Sequence, residues 1–124
     1  MSKLEQFLSL PDVDDVKKEV FVNDRLGTFT IKALTERQYA LIMKRSSANN
    51  VIDSSKFNLE LVSSGIVEPN FNDADFLSKV DCSSAKDFIT KKFFPGEITS
   101  IASIVMSVSG FDIDINDKIE EAKN

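Results

Sequence analysis

The sequence predicts a mainly helical α+β domain, with five or six short helices and an N-terminal β-hairpin packed on them. Residues 18–22 and 28–32 are rich in β-branched and aromatic side chains and flank a short turn that ends in glycine. From Thr35 onward, apolar residues recur at helical spacing between capping residues. The 124 residues, 42% of them hydrophobic, suffice for one core. We therefore expect a single domain over residues 1–124.

The N-terminal segment, about residues 1–15, is expected to form either a short amphipathic helix or a mobile arm. Leu4, Phe7 and Leu8 recur at helical spacing before Pro11. The segment lacks the apolar stretch of a signal peptide, and no run in the chain approaches the ~20 apolar residues that span a bilayer. We therefore expect a cytoplasmic protein with no membrane partner.

The hairpin is predicted over residues 17–34. An isolated pair of strands is marginally stable in water, so one of its faces must pack on the helices. Phe29 and Ile31 are the expected inward side chains of the second strand. Thr35 and Gln38 then have the spacing of a capping box, which marks the change from strand to helix.

The remaining residues, 35–124, are predicted to be helical. One helix begins after Asp53 and carries apolar side chains around most of its circumference, as far as Ile66. Such a helix is typical of the buried centre of a domain. Pro69 is expected to end it, because proline cannot continue a helix.

Two short helices are expected next, one capped by Asn72 and the other by Ser83 or Ser84. A last short helix is predicted beyond Gly110, through Ile119 and Ala122. Its candidate N-caps are Asp112, Asp114 and Asn116.

Between these lies a fifth helix, from Pro95 to about Ser109, with a signal at each end. Pro95 suits the first helical position because its φ is already helical and its missing N–H would have had no partner there. Glu97 lies near the third position, where its charge faces unpaired N–H groups. Gly110 can adopt the left-handed conformation that ends the helix.

One face of this fifth helix carries hydroxyl side chains and no charge. A solvated helix face normally carries Lys and Glu, so this composition indicates close approach by another backbone. That backbone belongs either to the domain itself or to a partner. The partner-binding hypothesis assigns the contact to Thr99, Ser100, Ser103 and Ser107.

No catalytic, cofactor-binding or metal-binding residues are predicted. The chain has no His and one Cys, Cys82, so the common metal sites and the Ser-His and Cys-His nucleophile systems are not available. No Gly-rich phosphate loop occurs. An acidic stretch that begins at Asp112 resembles a calcium loop, but its sixth and twelfth positions are Asp117 and Lys123 rather than Gly and Glu.

The charge of the chain disfavours nucleic acid as a partner. The formal net charge is −5 and the pI is about 4.7. A field of this sign repels phosphate backbones. Protein partners are therefore expected.

Four stretches occur in an order and spacing characteristic of a known family. They are residues 32–36 (KALTE), 56–62 (KFNLELV), 95–97 (PGE) and 110–124 (GFD to the EEAKN end). Together they resemble the tail assembly chaperones of PBSX-like (XkdN-like) prophages and contractile-tailed phages, over roughly the whole chain. Residues 79–85 depart from the pattern, since relatives often carry a Tyr-Gly-Val-Met-Gly-like turn there.

The resemblance implies a non-enzymatic chaperone that keeps the tape-measure protein soluble, helps to recruit tail-tube subunits and is absent from the finished particle. It implies the tape-measure protein as partner, with tail-tube subunits as further candidates. Whether the chain forms a homo-oligomer, or has a longer frameshifted product, stays open. The alternative is a small acidic helical adaptor or regulatory protein that binds a folded bacterial or phage partner.

Overall fold

A computed structural model describes residues 2–111. The helices are α1 (Lys3–Phe7), α2 (Glu36–Arg45), α3 (Ser54–Gly65), α4 (Ala74–Lys79), α5 (Ala85–Lys92) and α6 (Pro95–Met106). The strands are β1 (Lys17–Asn23), β2 (Gly27–Lys32), β3 (Ser47–Ala48), β4 (Val51–Ile52) and β5 (Ile66–Glu68). The predicted mainly helical α+β class is confirmed. The helix predicted through Ile119 and Ala122 lies outside the described residues.

The N-terminal hairpin forms as predicted. Strands β1 and β2 pair antiparallel, with Val20 opposite Phe29. Phe29 and Ile31 are 2% and 0% exposed, so the predicted inward face of β2 is the buried one. In the turn, the Leu26 N–H donates to the Asn23 Oδ1 at 2.8 Å. The hairpin is thus attached to the helices through the face that the alternation of its residues indicated.

The structure corrects the predicted end of the central helix. Helix α3 stops at Gly65, and Ile66 starts β5, which pairs antiparallel with β2 in a sheet of order β1-β2-β5. Ile66 and Val67 are β-branched, and Pro69 disfavours the helical conformation at Glu68. Residues 66–68 therefore pair with the second edge of β2 instead of continuing the helix, and the hairpin forms part of a three-stranded sheet.

Smaller corrections concern turns and caps. The short ribbon of β3 and β4 was not predicted, and its turn places Asn49 and Asn50 at φ of 54° and 64°, a conformation that Asn tolerates well. Asp73, not Asn72, caps α4, because its carboxylate accepts from the Asp75 N–H at 3.3 Å. Ser84 caps α5, as one of the two predicted alternatives.

The core lies between the sheet and the crossing of α3 with α6. Its fully buried members on these two helices are Leu61, Val62, Ile101 and Val105. Gly65 faces Val105 at the crossing, where an added Cβ would lie only 2.5 Å from a methyl carbon of that valine. The absence of a side chain at position 65 therefore allows α6 to approach α3 closely.

The carboxylate of Glu97 fixes the start of α6. It accepts the Phe94 N–H at 2.7 Å, the Asn23 side-chain N–H at 2.9 Å, and the Arg25 Nε and Nη2 at 3.0 and 2.5 Å. Arg25 also donates to the carbonyl of Lys92 at 2.8 Å. The predicted role of Glu97 at the helix start is therefore extended by an ion pair to the turn of the hairpin.

This bonding acts on the titration of Glu97. The hydrogen bond from Arg25, followed by those from Asn23 and the Phe94 N–H, lowers the pKa of Glu97 from 4.5 to about 2, against the opposing effect of desolvation. The carboxylate therefore stays charged well into the acid range in the folded protein.

The C-terminal end of α6 differs from the prediction in detail. The α-helix ends at Met106 and continues as a π-helical turn, Ser107–Phe111. Gly110 has φ of 94°, the left-handed conformation predicted for it. The Ser109 hydroxyl donates to the Val105 carbonyl at 2.7 Å and accepts the Leu34 N–H at 2.9 Å, which ties this turn to the segment after β2.

Truncation of the inward side chains of β2 tests the packing of the hairpin. Phe29→Ala or Ile31→Ala should lower the free energy of unfolding by about 2–5 kcal/mol, because each change leaves a cavity in the core. Urea denaturation measures this, with the exposed Thr28→Ala in the same strand as the control, expected within about 0.5 kcal/mol of wild type. A change that small at both core positions would contradict the register.

Alanine normally stabilises a helix relative to glycine, but the close approach of α3 and α6 predicts the opposite at position 65. Gly65→Ala should destabilise the protein by about 1–3 kcal/mol, since the new methyl meets Val105. The cost should shrink in a Val105→Ala background, which a double-mutant cycle measures by thermal or urea unfolding. Gly96→Ala is the control, because nothing lies within 4 Å of its added Cβ. Additive effects of the Gly65 and Val105 changes would show that the contact is absent.

The lowered pKa of Glu97 predicts an acid-dependent loss of stability. The unfolded carboxyl titrates near 4.5 and the folded one near 2, so its stabilising effect is complete above pH 4.5 and is lost as the pH falls through that window. Melting temperatures across this range should fall more steeply for wild type than for Glu97→Gln, which has no charge to lose. Parallel profiles for the two proteins would contradict the assignment.

Candidate partner-binding surface

Residues 2–111 contain no group of three or more acidic or sulfur side chains placed to hold a metal ion. In the same range, no helix combines the length and the apolar character that crossing a membrane requires. The single thiol, Cys82, is half-buried and lies 3.5 Å from the Val80 carbonyl oxygen.

The four hydroxyl side chains of the partner-binding hypothesis lie on the outer side of α6 and at its C-terminal end. Thr99, Ser100 and Ser103 are exposed and Ser107 is half-buried. We call these four residues the hydroxyl face. The opposite side of the helix is packed in the core. The sequence left open whether the domain itself covers this face. The domain does not cover Thr99, Ser100 or Ser103, which are exposed.

Two apolar hollows flank the hydroxyl face. One, of about 340 Å³, is lined by residues of α3, α5 and α6 that include Leu59, Ile98 and Thr99. The other, of about 380 Å³, lies between α6 and the hairpin. Its lining combines Val22 and Phe94 with Ser100 and with the hydrogen-bonded side chains of Asn23, Arg25 and Glu97. Thr99 and Ser100 thus each border a different hollow, and the helix forms a low ridge between the two.

Phe94 adds an aromatic ring at the N-terminal end of this ridge. Its side chain is 62% exposed, and the Arg25 guanidinium carbon lies 4.6 Å from the centre of the ring. The hydrogen bond to Glu97 raises the pKa of Arg25 further, so the guanidinium is a fixed positive charge. Neither the exposure of this ring nor its cationic neighbour was predicted from the sequence.

A further concavity, which we call the phenylalanine groove, lies beside the turn of the hairpin and has a volume of about 450 Å³. Its lining residues are Arg25, Leu26, Phe29, Pro69, Phe71, Phe76, Val80, Phe88, Lys92 and Phe93. The rings pack closely, and those of Phe76 and Phe88 meet edge to face with their centres 4.9 Å apart. The groove was not predicted from the sequence, because its rings come from separate elements.

Near the groove lies the connection over residues 79–85, where the sequence departs from the family pattern. Asp81 has φ of 55°, and the Cys82 N–H donates to the Leu77 carbonyl at 3.0 Å. Asp can adopt this left-handed conformation at modest cost. The connection is therefore a tight turn between α4 and α5 without a glycine.

Comparison with known protein families matches residues 4–123 to the XkdN-like phage tail assembly chaperones. No curated protein matches the chain. The crystal structure of the protein YqbN, a structural-genomics target, is similar to this chain with a TM-score of 0.68 and 18% sequence identity. The alignment covers 90% of this chain and 99% of YqbN. At this identity the similarity shows a common fold. The family match over nearly the whole length confirms the predicted resemblance, and this chain belongs to the XkdN-like phage tail assembly chaperones.

Proposed function

We propose that this protein keeps the tape-measure protein soluble during tail assembly by binding a helical segment of it along the hydroxyl face. Membership of the tail assembly chaperone family supports a chaperone role. The observation that carries the finer proposal is the exposed, uncharged ridge of α6 between two apolar hollows. A holdase requires an apolar contact surface on a soluble body and has no need of a reaction centre.

The shape of this surface suits a helix better than an extended strand. Small side chains at Ser100 and Ser103 permit close approach of a second helix axis, since the distance between packed helices depends on the side chains at the contact. Apolar residues of the incoming helix at positions i, i+3 or i+4, and i+7 can then enter the hollows on either side. The hydroxyl groups can pair with polar groups that the contact would otherwise bury unsatisfied.

Charge supports the same role. The hydroxyl face itself carries no ionisable side chain, while the whole chain has a formal net charge of −5. The uncharged hydroxyl face avoids the cost of desolvating charges along the helix, and the acidic remainder keeps a complex with an apolar cargo from associating further. Action in the cytoplasm, before the particle is complete, follows from this role.

Recruitment of tail-tube subunits is the second part of the proposal. A protein that coats the tape-measure protein lies where the tube polymerises, so tube subunits can contact the chaperone or replace it. The activity is non-enzymatic, in keeping with the chaperone family.

Charge insertion on the ridge tests the proposal. Ser103→Arg should keep a melting temperature close to that of wild type, because position 103 is exposed, yet it should no longer keep a co-expressed tape-measure protein in the soluble fraction. Ser78→Arg is the matched control, since Ser78 is also an exposed serine on a helix and lies outside the ridge. The control variant should retain the cargo.

Two results would contradict the binding site. A folded Ser103→Arg variant that still solubilises the tape-measure protein would place the cargo elsewhere, and unfolding of that variant would give the position a structural role. If wild type brings down a folded phage or bacterial protein in place of the tape-measure protein, the adaptor alternative is the better description.

A further inference from the structure

The N-terminal arm, residues 2–13, presents apolar side chains that its own chain leaves uncovered. Leu4, Phe7 and Leu8 are 82%, 58% and 84% exposed, and Leu10 is 60% exposed. The first three recur at the spacing that places them on one side of α1. The Ser2 hydroxyl caps this helix by accepting the Glu5 N–H at 3.2 Å. Leaving this apolar area in water costs about 25 cal/mol per Å², so a partner surface would stabilise the arm.

The phenylalanine groove has the complementary chemistry. It is open, about 450 Å³ in volume, and lined mainly by aromatic and aliphatic side chains. Two cationic residues also line it: Arg25, whose guanidinium is already paired with Glu97, and the exposed Lys92. The ammonium group of Lys92 therefore favours a ligand that combines apolar side chains with negative charge.

The arm carries that combination. Phe7 and the leucines supply apolar groups at the i, i+3 and i+4 spacing with which short helices enter grooves. Residues 2–15 also contain more acidic than basic side chains, with Glu5 on α1 itself and three aspartates following Pro11. Charge complementarity thus favours the arm as the occupant over a neutral apolar segment.

The arm joins the sheet at the end of the hairpin opposite to its own groove. Asp14 forms an ion pair with Lys32, and the Val16 carbonyl accepts the Ala33 N–H at 2.9 Å, so the arm leaves the sheet where β2 ends. The groove lies at the opposite end of the hairpin, beside Arg25 and Leu26. Six residues of β2 at about 3.3 Å each separate the two ends.

We propose that the arm of one copy docks in the phenylalanine groove of a second copy, so that two chains exchange arms in a symmetric dimer. Each copy supplies one arm and one groove, which gives a closed interface with the same contacts on both sides. The groove contains no residue of the hydroxyl face, although Arg25 and Phe93 also line the hollows beside that face, so the two surfaces adjoin.

The molar mass in solution tests the dimer. Light scattering and sedimentation of the full chain over low to high micromolar concentration should show a monomer–dimer equilibrium. Phe7→Ser should raise its dissociation constant at least about tenfold, because it removes the aromatic anchor from the groove. Val51→Ser, at a residue that is 68% exposed and distant in sequence from both surfaces, is the control and should leave the equilibrium unchanged.

Disulfide formation with Cys82 tests where the arm binds. Cys82 follows Val80 of the groove by two residues, so a chain with Ser9→Cys and Cys82→Ser, mixed with wild type and a mild oxidant, should form a disulfide between the two chains. Adding Phe7→Ser to the arm chain should abolish it. Oxidised wild type alone controls for pairing of Cys82 with itself.

Three results would overturn the proposal. One is a wild type that stays monomeric at all concentrations, and another is a dimer that Phe7→Ser leaves unchanged. The third concerns a chain that carries Ser9→Cys together with Cys82. A disulfide formed within that chain in preference to one between chains would show that the arm folds back on its own groove.

Discussion

The carboxylate of Glu97 joins the sheet to the helices, and the arrangement of the candidate surface depends on it. It holds the hairpin turn through Asn23 and Arg25 and satisfies the first free N–H of α6 at Phe94. Since all of its partners are hydrogen-bond donors, the loss of one of them leaves a nearly buried charge poorly compensated. The same contacts set where α6 begins, and thereby which of its residues face solvent.

The sequence predicted the elements whose signals are local. The capping box of Thr35 and Gln38, the helix start at Pro95 and the left-handed Gly110 all form as expected, because each depends on residues within one helical turn. The inward face of β2 was equally predictable, since alternation assigns alternate side chains to opposite faces of a strand. For the candidate site, the position of the hydroxyl face on α6 followed from helical periodicity alone.

What the sequence could not predict depends on residues that are distant along the chain. Strand β5 forms because β2 has a second edge with which it can pair. The sequence alone does not reveal this pairing, because the apolar residues that precede β5 indicate a helix that continues. Glu60 lies on the helix predicted as apolar and is buried there, since Lys86 pairs with it and Arg45 approaches within 3.9 Å. The hollows and the phenylalanine groove likewise arise from side chains of several elements, so no spacing within one segment reveals them.

Two hydrogen bonds between residues far apart in the sequence affect the order in which the chain can fold during its synthesis. Arg25 meets Glu97 across 72 residues, and the N–H of Leu34 meets the Ser109 hydroxyl across 75. A nascent chain leaves the ribosome N-terminus first, so the hairpin emerges well before its partners on α6. Until then the inward face of the hairpin, with Phe29 and Ile31, lacks part of its cover. The core can therefore be completed only after α6 has been translated, so the stability of the earlier segments depends on this late helix.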